Sequence, residues 1–259
     1  MTNIKLPALS PNTKVVQDFS TSAIEITYSR PSARGRKMLG DIVPYGQLWR
    51  TGANGVTRIR IHEDMEIGGT MVPEGEYALY TIPGEQEWEV IINSGTGNWG
   101  VGGYSADNDV ARFTVPVTKA EHSKPVFTID ITDITYTTCS IELMWEDVKI
   151  LIPVLVHNEQ RISDHINARN AEADAPHFQF ATYHYEKQHH DKALLAVDKA
   201  LEQRPDAFFM WHLKAKIEKM LGNKEAAIGA ANKSAELSKG TPYEYAYTRQ
   251  NDLLVAELN

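Results

Sequence analysis

The chain has 259 residues, 42% hydrophobic and 23% charged, an ordinary globular composition with length for one large domain or two smaller ones. Its net charge of −8 excludes the broad basic surface that non-specific nucleic-acid binding needs. A single cysteine, Cys139, excludes an internal disulfide and thiolate zinc clusters, and no run of 18 apolar residues is available to span a membrane.

The first residues, Met-Thr-Asn-Ile-Lys-Leu-Pro, hold no apolar stretch and do not read as a signal peptide. Period-2 alternation begins at Ile24/Ile26/Tyr28, with Glu25 and Thr27 on the other face. It recurs at Ile59/Ile61 against Arg58/Arg60 and at Phe127/Ile129/Ile131 against Thr128/Asp130, and Trp88–Asn93 also reads as a strand. Ile141/Leu143/Trp145 alternates with Glu142/Met144/Glu146, and Val148 to Val154 follows a tight turn expected at Glu146-Asp147. Gly68-Gly69, Pro73-Glu74-Gly75 and Pro83-Gly84 supply turns between runs. Short strands at such spacing without intervening helices predict an antiparallel β-sandwich over residues 8–156.

Beyond Val156 the period changes. Residues 157–174 form a polar, partly helical connector, and a helical domain is expected over 160–259. Apolar spacing becomes helical at Ala193, Val197, Ala200 and Leu201, then at Ala227, Ile228, Ala231 and Ala235. A shift of 34 residues carries His177 onto Trp211, Ala181 onto Ala215, Ala193 onto Ala227 and Ala200 onto Ser234. That period suits a short tetratricopeptide-like helical repeat array, although His184 and Glu218 occupy a usually aromatic position. Asp206 is a candidate cap for the next helix. Thr241-Pro242-Tyr243-Glu244 reads as a capping box opening a last helix.

Charge is segregated. From Arg30 to Arg60 there are seven basic residues and one acid, Asp41, giving +6, so the remainder of the −8 chain sums to −14. The same window holds Tyr28, Tyr45, Trp49 and Asn54. Arginine forks beside amphipathic aromatics are suited to a carboxylate, phosphate or carbohydrate. The candidate ligand-binding residues are therefore Tyr28, Arg30, Arg36, Tyr45, Trp49, Arg50 and Asn54, with Trp99 and Asp109 from a following loop. Alternatively, Arg30 and Arg36 pair with acids elsewhere and latch loops to the sandwich.

Other signals are weaker. Gly95-Thr-Gly97-Asn-Trp-Gly100 matches the dinucleotide fingerprint in letters, but Val101-Gly102-Gly103 cannot continue as the helix that would hold a pyrophosphate. His177, His184, His189 and His190 lack carboxylates at ligand spacing, so no metal site is expected, and no cofactor. Cys139 reads as a buried structural thiol. No catalytic residue can be read from spacing.

Long phrases carry a resemblance: Tyr-Ser-Arg-Pro-Ser-Ala-Arg-Gly-Arg (28–36), Val-Pro-Tyr-Gly-Gln-Leu-Trp-Arg-Thr-Gly-Ala-Asn (43–54), Val-Pro-Glu-Gly-Glu-Tyr-Ala-Leu-Tyr-Thr-Ile-Pro (72–83) and Met-Trp-Glu (144–146). Residues 8–156 resemble the bacterial domain-of-unknown-function family numbered twenty-nine eleven, including members with a tetratricopeptide-like tail. The resemblance implies an exported, periplasmic protein trimmed of its signal; a cytoplasmic protein is the alternative. It assigns no activity. The expectation is a binding module for a small anionic or glycan-like ligand, with a protein partner docked by the helical domain. An enzyme of hydrolase or lyase type, with Asp109 or a tyrosine as acid/base, and a structural envelope protein without ligand are the alternatives.

Overall fold

In the computed structural model, residues 6–170, 172 and 174–258 are described, so the reading made on Met1–Lys5 lies outside the described residues. The chain divides into two compact units at Asn158/Glu159. In the first unit the strands are β1 (Asn12–Phe19), β2 (Ser22–Ser29), β3 (Thr57–Ile61), β4 (Met65–Ile67), β5 (Thr70–Val72), β6 (Gly75–Ile82), β7 (Glu87–Asn93), β8 (Asp109–Pro116), β9 (Thr118–Thr132) and β10 (Thr138–Leu155). They form an antiparallel sandwich of two sheets, ordered β1-β2-β3-β6-β7-β8 and β5-β4-β10-β9.

Alternation places the core. Ile24 and Ile26 on β2, Ile59 and Ile61 on β3 and Val90 on β7 point inward from the larger sheet. Phe127, Ile129, Ile141, Leu143, Trp145, Ile150 and Ile152 meet them from β9 and β10. Burying such a layer is the main drive for closing two sheets on each other. Arg58 and Arg60 alternate outward and are exposed. Cys139 is enclosed in β10 at 2% exposure, and burial pushes its thiol up to about 12, so it is an inert core residue.

Three features differ from the sequence reading. The expected turn at Glu146-Asp147 is instead an irregularity within the continuous strand β10, with register shifts on both sides of Glu146 and φ 54 at Glu146 itself. β1 had no alternation to reveal it, because Val15 and Val16 are adjacent and Val16 faces solvent on an edge strand. β9 begins at Thr118, well before the apolar run at Phe127, because Glu121, His122 and Ser123 are exposed.

The second unit contains α1 (Glu159–Arg169), α2 (His177–Glu186), α3 (His190–Gln203), α4 (Phe208–Met220), α5 (Lys224–Ser238) and α6 (Glu244–Leu258). Ala181, Ala193, Ala200, Ala215, Ala227 and Ser234 are all fully buried, so small side chains stand where neighbouring helices approach. His177, His184 and Glu218 are buried as well. Asp206 does not cap α4; Ala207 occupies the cap without a side-chain bond. At α6, Thr241 Oγ1 accepts from Tyr243 N at 3.2 Å, while Glu244 reaches back to Gly240 N at 2.8 Å, one residue before the box partner expected. Burial, the largest cause, holds His177, His184 and His212 below the usual histidine range. No helix among the described residues is long and apolar enough to cross a membrane.

The alanine contacts are tight enough to test. Ala227→Leu should overpack the α4–α5 contact and destabilise the helical unit by roughly 1–3 kcal/mol. Urea unfolding followed at 222 nm would show this as an earlier loss of helix, with the β unit's tryptophan signal unchanged.

Candidate functional site

Between β2 and β3 the chain leaves the sandwich as an arm, residues 30–56, and one residue fixes it. Trp49 exchanges backbone bonds with Thr81 on β6, donating at 2.8 Å and accepting at 3.0 Å. Its indole Nε1 donates to Gly52 O at 3.0 Å, folding the chain after it into a tight return. Its ring stacks on Trp145 of β10, 5.8 Å between centroids at 16°, and meets Phe127 and Trp88 edge-on at 5.0 and 6.0 Å. Each such aromatic pair contributes about 0.5–1.5 kcal/mol beyond its buried area.

The return after Trp49 is strained. Thr51 is β-branched yet has φ 53, and Asn54 has φ 61. Thr51 is held by its hydroxyl contact with Thr81 Oγ1 at 3.0 Å and by Thr57 Oγ1 donating to its carbonyl. Gly52 is required by close approach: a Cβ there would lie 3.0 Å from Thr57 Oγ1 and 3.1 Å from Ser29 O. A left-handed β-branched residue costs on the order of 1–3 kcal/mol, and such strain is concentrated at functional sites.

A second clamp comes from the irregularity in β10. Glu146 accepts from the Met38 and Leu39 amides at 3.1 Å each, one through each carboxylate oxygen. A carboxylate meeting two aligned N–H donors is a charge-assisted pair of bonds. The unusual backbone at Glu146 is what turns its side chain toward the arm, instead of continuing the strand's alternation.

Between these clamps lies a cleft of about 310 Å³. Its floor is the Trp49–Trp145 pair, its walls include Ile42, Leu48 and Val101, and its charged lining is Arg36 and Arg50. No carboxylate is found among the described lining residues. The Arg50 Nε is fully enclosed and has no hydrogen-bond partner among the described residues. Beside this guanidinium stands Gly100, whose added Cβ would sit 3.3 Å from Arg50 Nη1 in a left-handed backbone of φ +68. Thus the third glycine of the fingerprint-like run makes room for an arginine, and the run is a loop in which no α-helix opens at that glycine. Gly100 N donates to Asn54 O and Val56 N to Asn98 O, pinning this loop to the arm.

The sequence-derived site residues divide. Arg36, Trp49 and Arg50 line the cleft. Arg36 also donates from Nε to Ala33 O and from Nη2 to Ser32 O, so part of its fork braces its own loop. Arg30 is a latch in the sense of the alternative reading, though to neutral acceptors: Phe127 O at 3.3 Å and Thr128 Oγ1 at 2.9 Å on β9. Tyr28 is a core residue whose hydroxyl accepts from Ile129 N at 2.7 Å; burial is the main reason its pKa is raised. Asn54 donates to Ser10 O and Ser29 Oγ. Tyr45 packs beside Gly40, its pKa raised by burial and then by Glu85, Glu146 and Asp147. Trp99 is 76% exposed at the tip of the glycine loop. Asp109 accepts from Asn93, Tyr104 and Arg112, and Arg112 also pairs with Glu89 at 2.9 Å. With bonds on both oxygens, this carboxylate fastens β7 and β8. Tyr28, Arg30, Tyr45, Asn54, Trp99 and Asp109 therefore stand outside the cleft lining.

Trp145 and Glu146 were not among the candidate site residues. Their signal was the Met-Trp-Glu phrase, which alternation alone explained as a strand. A larger, open hollow of about 860 Å³ runs along α6, but its lining mixes Glu244 and Asp252 with Arg249, so it selects no charge.

The comparisons with known proteins bear on the β unit. The family described as "Protein of unknown function (DUF2911)" matches residues 10–154, more than half of the chain, and the chain belongs to it. No curated protein matches the chain.

Glu146→Gln should convert one of the two acceptors facing Met38 and Leu39 into a donor. We expect the β unit to lose roughly 1–3 kcal/mol, seen as a lower midpoint for the tryptophan fluorescence transition in urea. An unchanged midpoint would mean the arm is held without this clamp.

Proposed function

We propose that the β unit is a binding module whose cleft takes a small anion, a carboxylate or phosphate, carried on a flat apolar or sugar-like body. The observation that carries this reading is Arg50. A guanidinium with an enclosed, unpartnered Nε is costly in a finished core, and leaving a buried donor unmet costs about 1–3 kcal/mol. An incoming oxyanion would repay that cost with charge-assisted bonds, and Arg36 adds a second cation at the same opening. Trp49 and Trp145, both in the lining, supply apolar contact for the rest of the ligand. The enzyme alternative is less favoured, because the described lining offers no carboxylate, histidine or tyrosine to move a proton.

The helical unit, on this reading, is a tetratricopeptide-like array that docks a protein partner, supported by the 34-residue spacing between the starts of α3 at His190 and α5 at Lys224. Export to the periplasm is part of the proposal and rests on the family alone.

Isothermal titration of the full chain with benzoate, phenyl phosphate and the neutral benzamide tests the cleft. Either anion should bind with an affinity that falls as salt rises. Arg50→Met should weaken it at least about tenfold, the value of one charge-assisted bond, with a melting temperature close to that of the parent. Lost stability with unchanged binding would make Arg50 a structural latch and remove the basis for the module.

A further inference from the structure

The helical unit holds a cavity of its own. α1, the residue that follows it and the α2–α3 pair border a partly open cleft of about 330 Å³, lined by Ile166, Asn167, Asn170, Phe180, His184, Lys192, Leu195, Ala196 and Lys199. The floor is apolar: Ile166, Phe180 and Ala196 are each more than nine-tenths buried. The cations come from α3, where Lys192 and Lys199 stand seven residues apart, two turns along one face. No carboxylate is found among the described lining residues, although the whole chain is acidic. Lys199 Nζ reaches Asn170 Oδ1 at 3.3 Å, while Lys192 has no ion pair among the described residues.

His184 is the decisive side chain. It lies one turn after Phe180 on α2, so the two rings share a face. It is only 7% exposed, and its Nδ1 is fully enclosed without any hydrogen-bond partner. Burial, and then the positive charge of Lys192, hold its pKa below the usual histidine range. An imidazole whose enclosed Nδ1 finds no partner among the described residues has polar capacity that the fold does not use.

We infer that this cavity is a second ligand site, for a carboxylate borne on a compact apolar group such as a branched aliphatic chain. The apolar group lies on Ile166, Phe180 and Ala196. The carboxylate faces Lys192 and Lys199, with the asparagine amides of Asn167 and Asn170 and the reachable nitrogen of His184 as further partners. The volume sits at the low end for small-molecule sites, which fits such an acid and is too small for a larger body. A free acid and the terminal carboxylate of a peptide ending in leucine present the same chemistry. The site is independent of the β-unit cleft, and neither depends on the other.

The test uses the full chain carrying Arg50→Met, so that the cleft's free arginine is absent. Ring signals of His184 and Phe180 are followed by NMR during titration with 4-methylpentanoate, its neutral amide, N-acetyl-alanyl-leucine and the C-terminal amide of that dipeptide. The acids should move both rings, and the amides should bind at least about tenfold more weakly. Lys192→Met should weaken the acids about fivefold or more with unchanged helical circular dichroism, since Lys192 is exposed and unpaired; Lys199→Met should act in the same direction. Tighter binding of N-acetyl-alanyl-leucine than of 4-methylpentanoate assigns the carboxylate to a chain terminus, and equal or weaker binding assigns it to a free acid; both support the site. Acids and amides shifting the rings alike, no shift at all, or affinity unchanged by Lys192→Met would overturn it.

Discussion

Trp49 is attached to both sheets of the sandwich at once. Its backbone pairs with Thr81 in the larger sheet, and its ring stacks on Trp145 in the smaller one. An arm of this length would ordinarily be free to move over the surface, because loops pay little to explore alternative paths. Here the double attachment removes that freedom at one point, and the neighbouring residues inherit the constraint. Arg50 follows immediately and is held at the cleft. Thr51 is pushed into a left-handed conformation that the surrounding hydroxyl bonds sustain. Gly52 closes the return onto the indole nitrogen. The Glu146 clamp then fixes the other side of the opening through Met38 and Leu39.

The arginines of this segment show how one residue type serves different ends according to what it meets. Arg30 is satisfied by a carbonyl and a hydroxyl of β9, so its contribution is to fasten the arm. Arg36 divides its fork between neighbouring carbonyls and the cleft. Arg58 and Arg60 point outward from β3, where Arg58 meets Glu76 at 3.5 Å in a solvent-exposed pair of small energetic weight. Arg50 alone among these has a buried nitrogen without a partner. The +6 of the segment is therefore not one electrostatic surface. Among the described residues it combines fasteners, outward-facing side chains and Arg50, whose buried Nε has no partner.

Much of this architecture was legible in the residues. The change of hydrophobic period near Val156 marked the passage from strands to helices, because burial on one side of a sheet and along a helix stripe leaves different spacings. Alanines at fixed intervals marked helix contacts. Other features had no periodic signature. The edge strand β1 carries valines on both faces, and the irregularity at Glu146 looks like a turn because both interrupt alternation. Charge segregation pointed to the arm, yet it could not separate Arg50 from Arg30, since whether a guanidinium finds a carbonyl depends on how strands distant in sequence come together. Trp145 was readable as core and not as the cleft's floor, for it is both. Asp109 looked available as an acid until its three partners were known.

On the reading proposed above, Trp49, Trp145 and Arg50 line a receptive anion site. A crystal structure of the chain with 4-bromobenzoate tests it most directly, since bromine's anomalous scattering locates the ring independently of the carboxylate. The expected result is the ring in the cleft against the Trp49 side, with a carboxylate oxygen within hydrogen-bonding distance of Arg50. An empty cleft at saturating ligand, with the Arg50 guanidinium turned to a protein carbonyl or carboxylate, would contradict it.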